Sequence, residues 1–280
     1  MEQAMEAIAR ILNMGFASDP PAPGVMERMR ADTVNAAAGD LDKQDGYNCP
    51  LCRNKGYIMQ AVDEEDGWRV VSRECKCQKT RRSLRLMQQS GLRNIIRECT
   101  FGKFETPDDW QQRVKEAAMA YAQAPDGWFF IGGQSGSGKT HLCTAICREL
   151  LLAGKSVLYM VWRDAIVPLK AMVKDAEQYG PAIGQYKRVE VLYIDDLFKT
   201  GRGADSAPQK PTAADINIAF EVLNYRYINR LTTIISSEYA IGDLMDIDEA
   251  LAGRIIERAK AFSLRPDRRR NWRLRNATEL

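Results

Sequence analysis

"GQSGSGKT", residues 133–140, fits the pattern G-x-x-x-x-G-K-[ST], and what flanks it decides the fold. An apolar run, "WFFIGG" (128–133), leads into it, and an amphipathic stretch follows from Gly138. Strand, glycine loop and helix are the context this motif requires. Glycines let backbone amides close around phosphate oxygens, and the helix N-terminus adds partial positive charge. Gly133, Gln134, Ser135, Gly136, Ser137, Gly138, Lys139 and Thr140 are therefore the expected phosphate cradle. Lys139 would reach the β and γ phosphates, and Thr140 would ligate Mg²⁺.

The same alternation continues outward. "SVLYMVW" (156–162) precedes a helix from about Arg163, and "VEVLYIDD" (189–196) and "LTTIISS" (231–237) are further short apolar runs. Strands separated by helices predict an α/β fold, a parallel sheet covered on both faces. Upstream, "DDWQQRVKEAAMAYA" (108–122) reads as a helix with an acidic cap, broken by "APDG" (124–127). "VLYIDDLF" ends a strand in two carboxylates where a nucleotide site needs them. Asp195 is expected to hold Mg²⁺ and Asp196 to orient the attacking water. The competing reading is that adjacent acids merely cap a helix.

The chain of 280 residues, 45% hydrophobic, can fill one large core or two modest ones. Its opening "MEQAMEAIAR" carries acids, and nowhere do about 18 uncharged apolar residues stand together. A cytoplasmic protein with no signal peptide and no membrane partner is expected. Met1, Met5, Ile8 and Leu12 form the stripe of an N-terminal amphipathic helix, ended by "SDPPAPG" (18–24). It either packs on its own chain or docks on a partner. A net charge of +3 does not demand a nucleic acid, but "KTRRSLRLMQQSGLRNIIR" (79–97) and "RPDRRRNWRLR" (265–275) concentrate arginine. Each run is either a phosphate-tracking surface or a solvated face. With a single histidine, His141, Ser-His catalysis and a histidine-built metal site are hard to assemble, and local packing is its expected role.

Seven cysteines in a reducing compartment raise a question of metal or burial rather than crosslinks. Cys49 and Cys52 stand two residues apart, and Cys75 and Cys77 follow in "SRECKCQ". Four thiolates so spaced suit tetrahedral Zn²⁺, with Gly56 allowing a tight turn and "YIMQAV" and "WRVV" forming a hairpin between the pairs. A redox C-x-x-C would sit at a helix start in a βαβ context, which is absent around Cys49. Four cysteine ligands leave no open coordination position, so the metal would be structural. Cys99, Cys143 and Cys147 are expected in the core.

The P-loop, "YIDDLF", "FEVLNYRYINR" (220–230), "TTIISSE" (232–238) and "DEALAGRIIER" (248–258) together resemble the AAA+ ATPase of bacterial and phage replicative helicase loaders of the DnaC/DnaI type, over roughly residues 99–280. The resemblance implies an ATP-hydrolysing domain without a sizeable lid. It puts Ser237 and Glu238 at the sensor-1 position, and Arg273 as the last nucleotide-sensing arginine. It makes Arg258, with Arg254 as rival, an arginine finger acting on a neighbouring copy. The chain departs from the family in carrying Asp195-Asp196 where Asp-Glu is usual, and in lacking the common sensor Asn. Some loaders also carry an N-terminal zinc ribbon.

Three regions are thus expected: a helical segment (1–46) that docks a helicase, a Cys₄ module with a basic linker helix (47–98), and the ATPase (99–280). The implied function is ATP-controlled placement of a hexameric replicative helicase on single-stranded DNA, with copies of the chain associating on the helicase. Trp272, Tyr225 and Tyr227 are available for base stacking or for packing. The alternatives are a transposition helper of the IstB type, which typically lacks the zinc module, and a non-hydrolysing nucleotide switch.

Overall fold

Residues 25–36, polar and weakly patterned in the sequence, form helix α1 (Val25–Ala36), followed by the short α2 (Leu41–Asp45). Tertiary bonds rather than periodicity hold α1. Arg53 Nη1 donates to Ala36 O at 2.6 Å, and Lys55 Nζ donates to Asn35 O at 2.9 Å, placing positive charge on the carbonyl end of the helix. The Asn35 amide donates to Met59 O and accepts from Met59 N, both at 2.9 Å, and so pairs like an extra strand residue with β1 (Tyr57–Glu64). β1 and β2 (Gly67–Glu74) make the expected antiparallel hairpin, closed at Glu64–Gly67. Gly56, at φ +84°, turns the chain into it.

The computed structural model describes residues 22–89, 93–200, 210–264, 267 and 271–272. The N-terminal stripe and Arg273 lie outside them. The chain divides into two units, Met1–Lys76 and Cys77–Leu280. The expected basic helix, α3 (Cys77–Gln89), belongs to the larger one: Thr80 Oγ1 donates to Leu151 O, and Ser83 Oγ accepts from Val157 N, each at 3.0 Å. After α4 (Arg93–Glu98) comes α5 (Asp109–Gln123), whose Gln111 side chain accepts from the Asp108 N–H in a capping box.

Then the α/β alternation runs as expected: β3 (Trp128–Gly133), α6 (Lys139–Leu152), β4 (Val157–Val161), α7 (Trp162–Met172), α8 (Ala176–Arg188), β5 (Val191–Leu197), α9 (Ala213–Ile228), β6 (Thr232–Ser237), α10 (Ile241–Ile247), α11 (Glu249–Arg258) and β7 (Ala259–Leu264). The five strands lie in the order β4-β5-β6-β3-β7, with every neighbouring pair parallel. Strand alternation divides two cores: Phe129, Ile131, Tyr193 and Ile234 face the α5–α6 layer, while Trp128, Phe130, Ile194 and Ile235 face α7–α11. Both faces are covered, which is why the strands read as unbroken apolar runs. Among the described residues no helical subdomain follows β7.

Arg226 of α9, fully buried, ties this sheet to its helices. Its guanidinium donates to the carbonyls of Tyr186, Lys187 and Val189 at the end of α8, and to Thr233 Oγ1 at 2.9 Å. Burial lowers its pKa to about 9, which leaves it charged at neutral pH. Arg226→Met would strand those carbonyls, each unmet buried acceptor costing about 1–3 kcal/mol. A loss of roughly 3 kcal/mol or more is expected, read as a lower denaturant midpoint at unchanged slope.

Candidate functional site

At the carboxyl end of β3 the chain turns through the glycine loop into α6, beside the point where strand order switches from β6 to β7. That is where open parallel sheets bind ligands. The loop's shape depends on its glycines: Gly136 (φ +78°) and Gly138 (φ +86°) lie in the left-handed region, and a Cβ on Gly136 would strike Asn271 Oδ1. Asp267 and Trp272 both bond to this loop. Gln134 Nε2 donates to Asp267 O and its Oε1 accepts from Asp267 N, both at 2.6 Å, and Trp272 N donates to Gly136 O at 2.8 Å.

A cleft of about 550 Å³ opens above the loop, walled by Phe104, Cys99, Asp196, Lys199 and Trp272. Lys139 is buried and folds back, its Nζ donating to Gly133 O at 2.8 Å and Gln134 O at 2.7 Å. Burial pushes its pKa down, with Asp196 and Glu238 pulling the other way. Thr140 Oγ1 donates to Asp195 Oδ1 at 3.1 Å, so the two expected magnesium ligands already touch. Thr140 lines the cleft with the buried Asp195 carboxylate directly behind it, and such a pair of oxygens suits a hard divalent cation.

Asp195 is held by hydroxyls that were not among the expected site residues. Tyr193 OH donates to Oδ1 at 2.7 Å, Tyr159 OH to Oδ2 at 2.6 Å, and Ser236 Oγ also donates to Oδ1. Burial first, and the Asp195 charge second, push both phenols far upward, so they remain protonated donors. Ser236 Oγ in turn accepts from Asp196 N at 3.0 Å, linking the two acids. Between Ile194 and Leu197 the pairing register with β6 shifts, and Asp196 (φ +55°) takes a left-handed conformation rare for a residue with a side chain. The bulge sends Asp195 inward and Asp196 to the cleft.

There Asp196 Oδ2 accepts from Lys199 Nζ at 2.6 Å, and the same ammonium lies 3.0 Å from Glu238. Desolvation works to lower the Lys199 pKa, but its bonds to Asp196 and Glu238 outweigh that and the net shift is upward. Of the two residues expected at the sensor position, Glu238 thus meets the Asp196 network. Ser237 instead is buried and donates to Leu197 O at 2.8 Å. Cys99, expected in the core, is instead half-buried and lines the cleft; burial pushes its thiol up to about 11, with Glu98 and Asp195 adding to the shift, which disfavours the thiolate. His141 makes a bond to Thr100 O at 2.8 Å and meets the Phe104 ring edge-on.

The arginines of α11 differ. Arg254 is occupied within its own chain, donating to Asn224 Oδ1 at 2.9 Å and Ala250 O at 2.7 Å and stacking over Phe220 and Tyr227. Arg258 Nε is buried without a hydrogen-bond partner among the described residues. Because Ala259 pairs with Trp128 and Leu264 with Gly133, Arg258 lies at the opposite end of the sheet from the glycine loop. Five residue steps along β3 span roughly 17 Å. Tyr225 and Tyr227 are covered by Lys187 and Arg254, whereas Lys79, Arg82 and Arg85 form an exposed basic row along α3.

The second cluster comprises Cys49, Cys52, Cys75 and Cys77, all buried, with their sulfurs within 4.8 Å of one another. Tetrahedral Zn²⁺ with Zn–S near 2.3 Å requires sulfurs about 3.8 Å apart. Cys49 and Cys75 stand at 3.9 Å, and Gly56 N donates to Cys52 Sγ at 3.3 Å, as a thiolate ligand needs. The donor set fits zinc. No helix among the described residues is long and apolar enough to cross a membrane.

Residues 60–271 match the family described as IstB-like ATP binding protein. The chain is similar to the phage-like element PBSX protein XkdC of Bacillus subtilis (strain 168), 32% identical over 75% of this chain and 79% of that one. It is also similar to the replicative helicase loader DnaC of Escherichia coli (strain K12), 30% identical over 52% of this chain and 56% of that one. A crystal structure of the DnaC helicase loader superposes at a TM-score of 0.52 and 19% identity, over 61% of this chain and 98% of that one. At that identity the likeness speaks to the fold alone.

Proposed function

The chain belongs to the IstB-like ATP-binding protein family, with an AAA+ domain of the DnaC/DnaI type, and from that premise we propose that it hydrolyses ATP to place a hexameric replicative helicase on single-stranded DNA. The observation that carries this is the separation of Arg258 from the glycine loop along β3. A copy's own Arg258 is thereby kept from its own loop, which supports the reading that a neighbour supplies the last catalytic charge, as in a protein assembling on a ring.

In this reading the amides of residues 133–140 bind the phosphates, and Lys139 exchanges the Gly133 and Gln134 carbonyls for phosphate oxygens. Thr140 and Asp195 would hold Mg²⁺, which would supply neutralisation of phosphate charge. Asp196 orients the attacking water once Lys199 is drawn away, and Glu238 keeps Lys199 close by. Arg258 of one copy, and Arg273 of the same chain as the nucleotide, complete the positive surround. The four cysteines hold Zn²⁺ and shape a docking module for the helicase, together with the N-terminal stripe. The exposed row of Lys79, Arg82 and Arg85 tracks DNA phosphates. Residues 1–46, 47–98 and 99–280 divide these duties.

The test is to mix the full chain with a hexameric replicative helicase and circular single-stranded DNA. An ATP-dependent complex of all three is expected. Lys139→Ala should weaken nucleotide binding about 100-fold, since two charge-assisted bonds at about 1.5 kcal/mol each are lost, and should abolish the complex. Failure to retain helicase with ATP present would overturn the reading. The match to the IstB-like family keeps a transposition helper as a second reading; retention of a transposase instead of a helicase would establish it. Phosphate release that stays absent with helicase and DNA present would mark a nucleotide switch.

A further inference from the structure

A buried carboxylate needs compensation for lost hydration, and proteins commonly supply it with lysine or arginine. Asp195 is 7% exposed and has no ion-pair partner among the described residues. Its compensation comes from neutral hydroxyls carried on four elements: Thr140 on α6, Tyr159 on β4, Tyr193 on β5 and Ser236 on β6. Tyr159 and Tyr193 are register partners across β4 and β5, with ring centroids 4.9 Å apart. Both rings belong to the core between the sheet and α5–α6 and reach the carboxylate from within.

The difference between a hydroxyl and an ammonium matters here. A cationic partner would cancel the charge of Asp195 and compete with any metal for it. A phenol donates only a partial charge, so the carboxylate keeps its full negative charge while its torsion is fixed. Oδ2 has one donor, Tyr159, whereas Oδ1 has three, more than its two lone pairs serve well. The longest of the three comes from Thr140, the one that also lines the cleft. A cation approaching from the cleft meets the Thr140 hydroxyl and Asp195 already aligned, with the tyrosines bracing the far side.

We propose that Tyr159 and Tyr193 are positioning residues for the divalent cation, two phenols that lock the Asp195 carboxylate in its metal-binding orientation without neutralising it. This rests on the reading of the cleft as a Mg²⁺–ATP site. Outer-shell partners of a metal ligand typically govern metal affinity by about 10- to 100-fold. Tyr159→Phe keeps the ring and removes only the oxygen.

The experiment follows ATP binding to the full, zinc-loaded chain by calorimetry across a Mg²⁺ series and in EDTA, with Mn²⁺ uptake read by electron paramagnetic resonance beside a non-hydrolysable ATP analogue. Tyr159→Phe is expected to raise half-saturating Mg²⁺ and the Mn²⁺ dissociation constant about 10-fold or more. ATP affinity in EDTA should stay near wild type, while the thermal midpoint should fall by the cost of one unmet buried acceptor. Ser236→Ala, which removes a donor to Oδ1, should shift the metal curve in the same direction if Tyr159→Phe proves too unstable to measure. Metal curves superimposing on wild type would make the phenols packing groups and overturn the proposal. A wild-type chain with no metal-dependent ATP binding would instead overturn the nucleotide reading itself, and the proposal with it.

Discussion

Replacing Arg258 with alanine is expected to leave ATP binding within about twofold of wild type and to lower turnover by on the order of 10³-fold. The binding half follows from position. Arg258 lies at the far end of β3 from Gly133, so it touches no phosphate held by its own loop. The turnover half follows from electrostatics: a fixed guanidinium beside the γ-phosphate stabilises charge that moves only in the transition state. A mixing experiment separates this from a folding defect. Lys139→Ala copies bind nucleotide about 100-fold more weakly but keep Arg258, while Arg258→Ala copies bind nucleotide but offer no finger. Phosphate release should reappear when the two inactive variants are combined. Silence in the mixture, or full turnover in the Arg258 variant alone, would remove this arginine from the chemistry. Arg254→Ala should act differently, loosening α11 from Asn224 and Phe220 and lowering stability.

Stripping zinc from the cysteine cluster, or substituting Cys49→Ser, is expected to unfold the small unit while the large one goes on binding ATP. Among the described residues up to Lys76, the buried hydrophobic positions are Ala31, Cys49, Cys52 and Cys75. The hairpin and α1 therefore have almost no apolar core other than the thiol cluster. A structural Zn²⁺ supplies roughly 10–16 kcal/mol in small metal-dependent domains, far more than one buried alanine. Hydrogen exchange over residues 25–74 should pass from protected to free on chelation, and exchange within β3 and α6 should not change. Persistent protection of the hairpin without metal would show that hydrogen bonds such as Asn35–Met59 suffice.

What the sequence disclosed was what it encodes locally. The glycine loop, the strands ending at Gly133 and near Asp195, the hairpin and the cysteine pairs each declare themselves by short-range period or spacing. Helix α1 did not, because Arg53, Lys55 and Asn35 stabilise it from outside its own pattern. Tyr193 was within reach, two residues before Asp195 and so on the same strand face. Tyr159 was not: it meets Asp195 only because β4 lies next to β5, a neighbour relation absent from linear spacing. The serines of β6 likewise could not be told apart from spacing alone. The bulge after Ile194 shifts the pairing with β6, and Ser236, rather than Ser237, is the serine that meets Asp195.

Six residues of β3 keep a copy's own Arg258 and its own triphosphate apart. A lone molecule in dilute solution should then be a quiet reservoir, charged with nucleotide yet idle. Crowding, rather than any chemical signal, would set it running: output per molecule should climb as the protein is concentrated or gathered on a scaffold, and fade again as the partners drift apart.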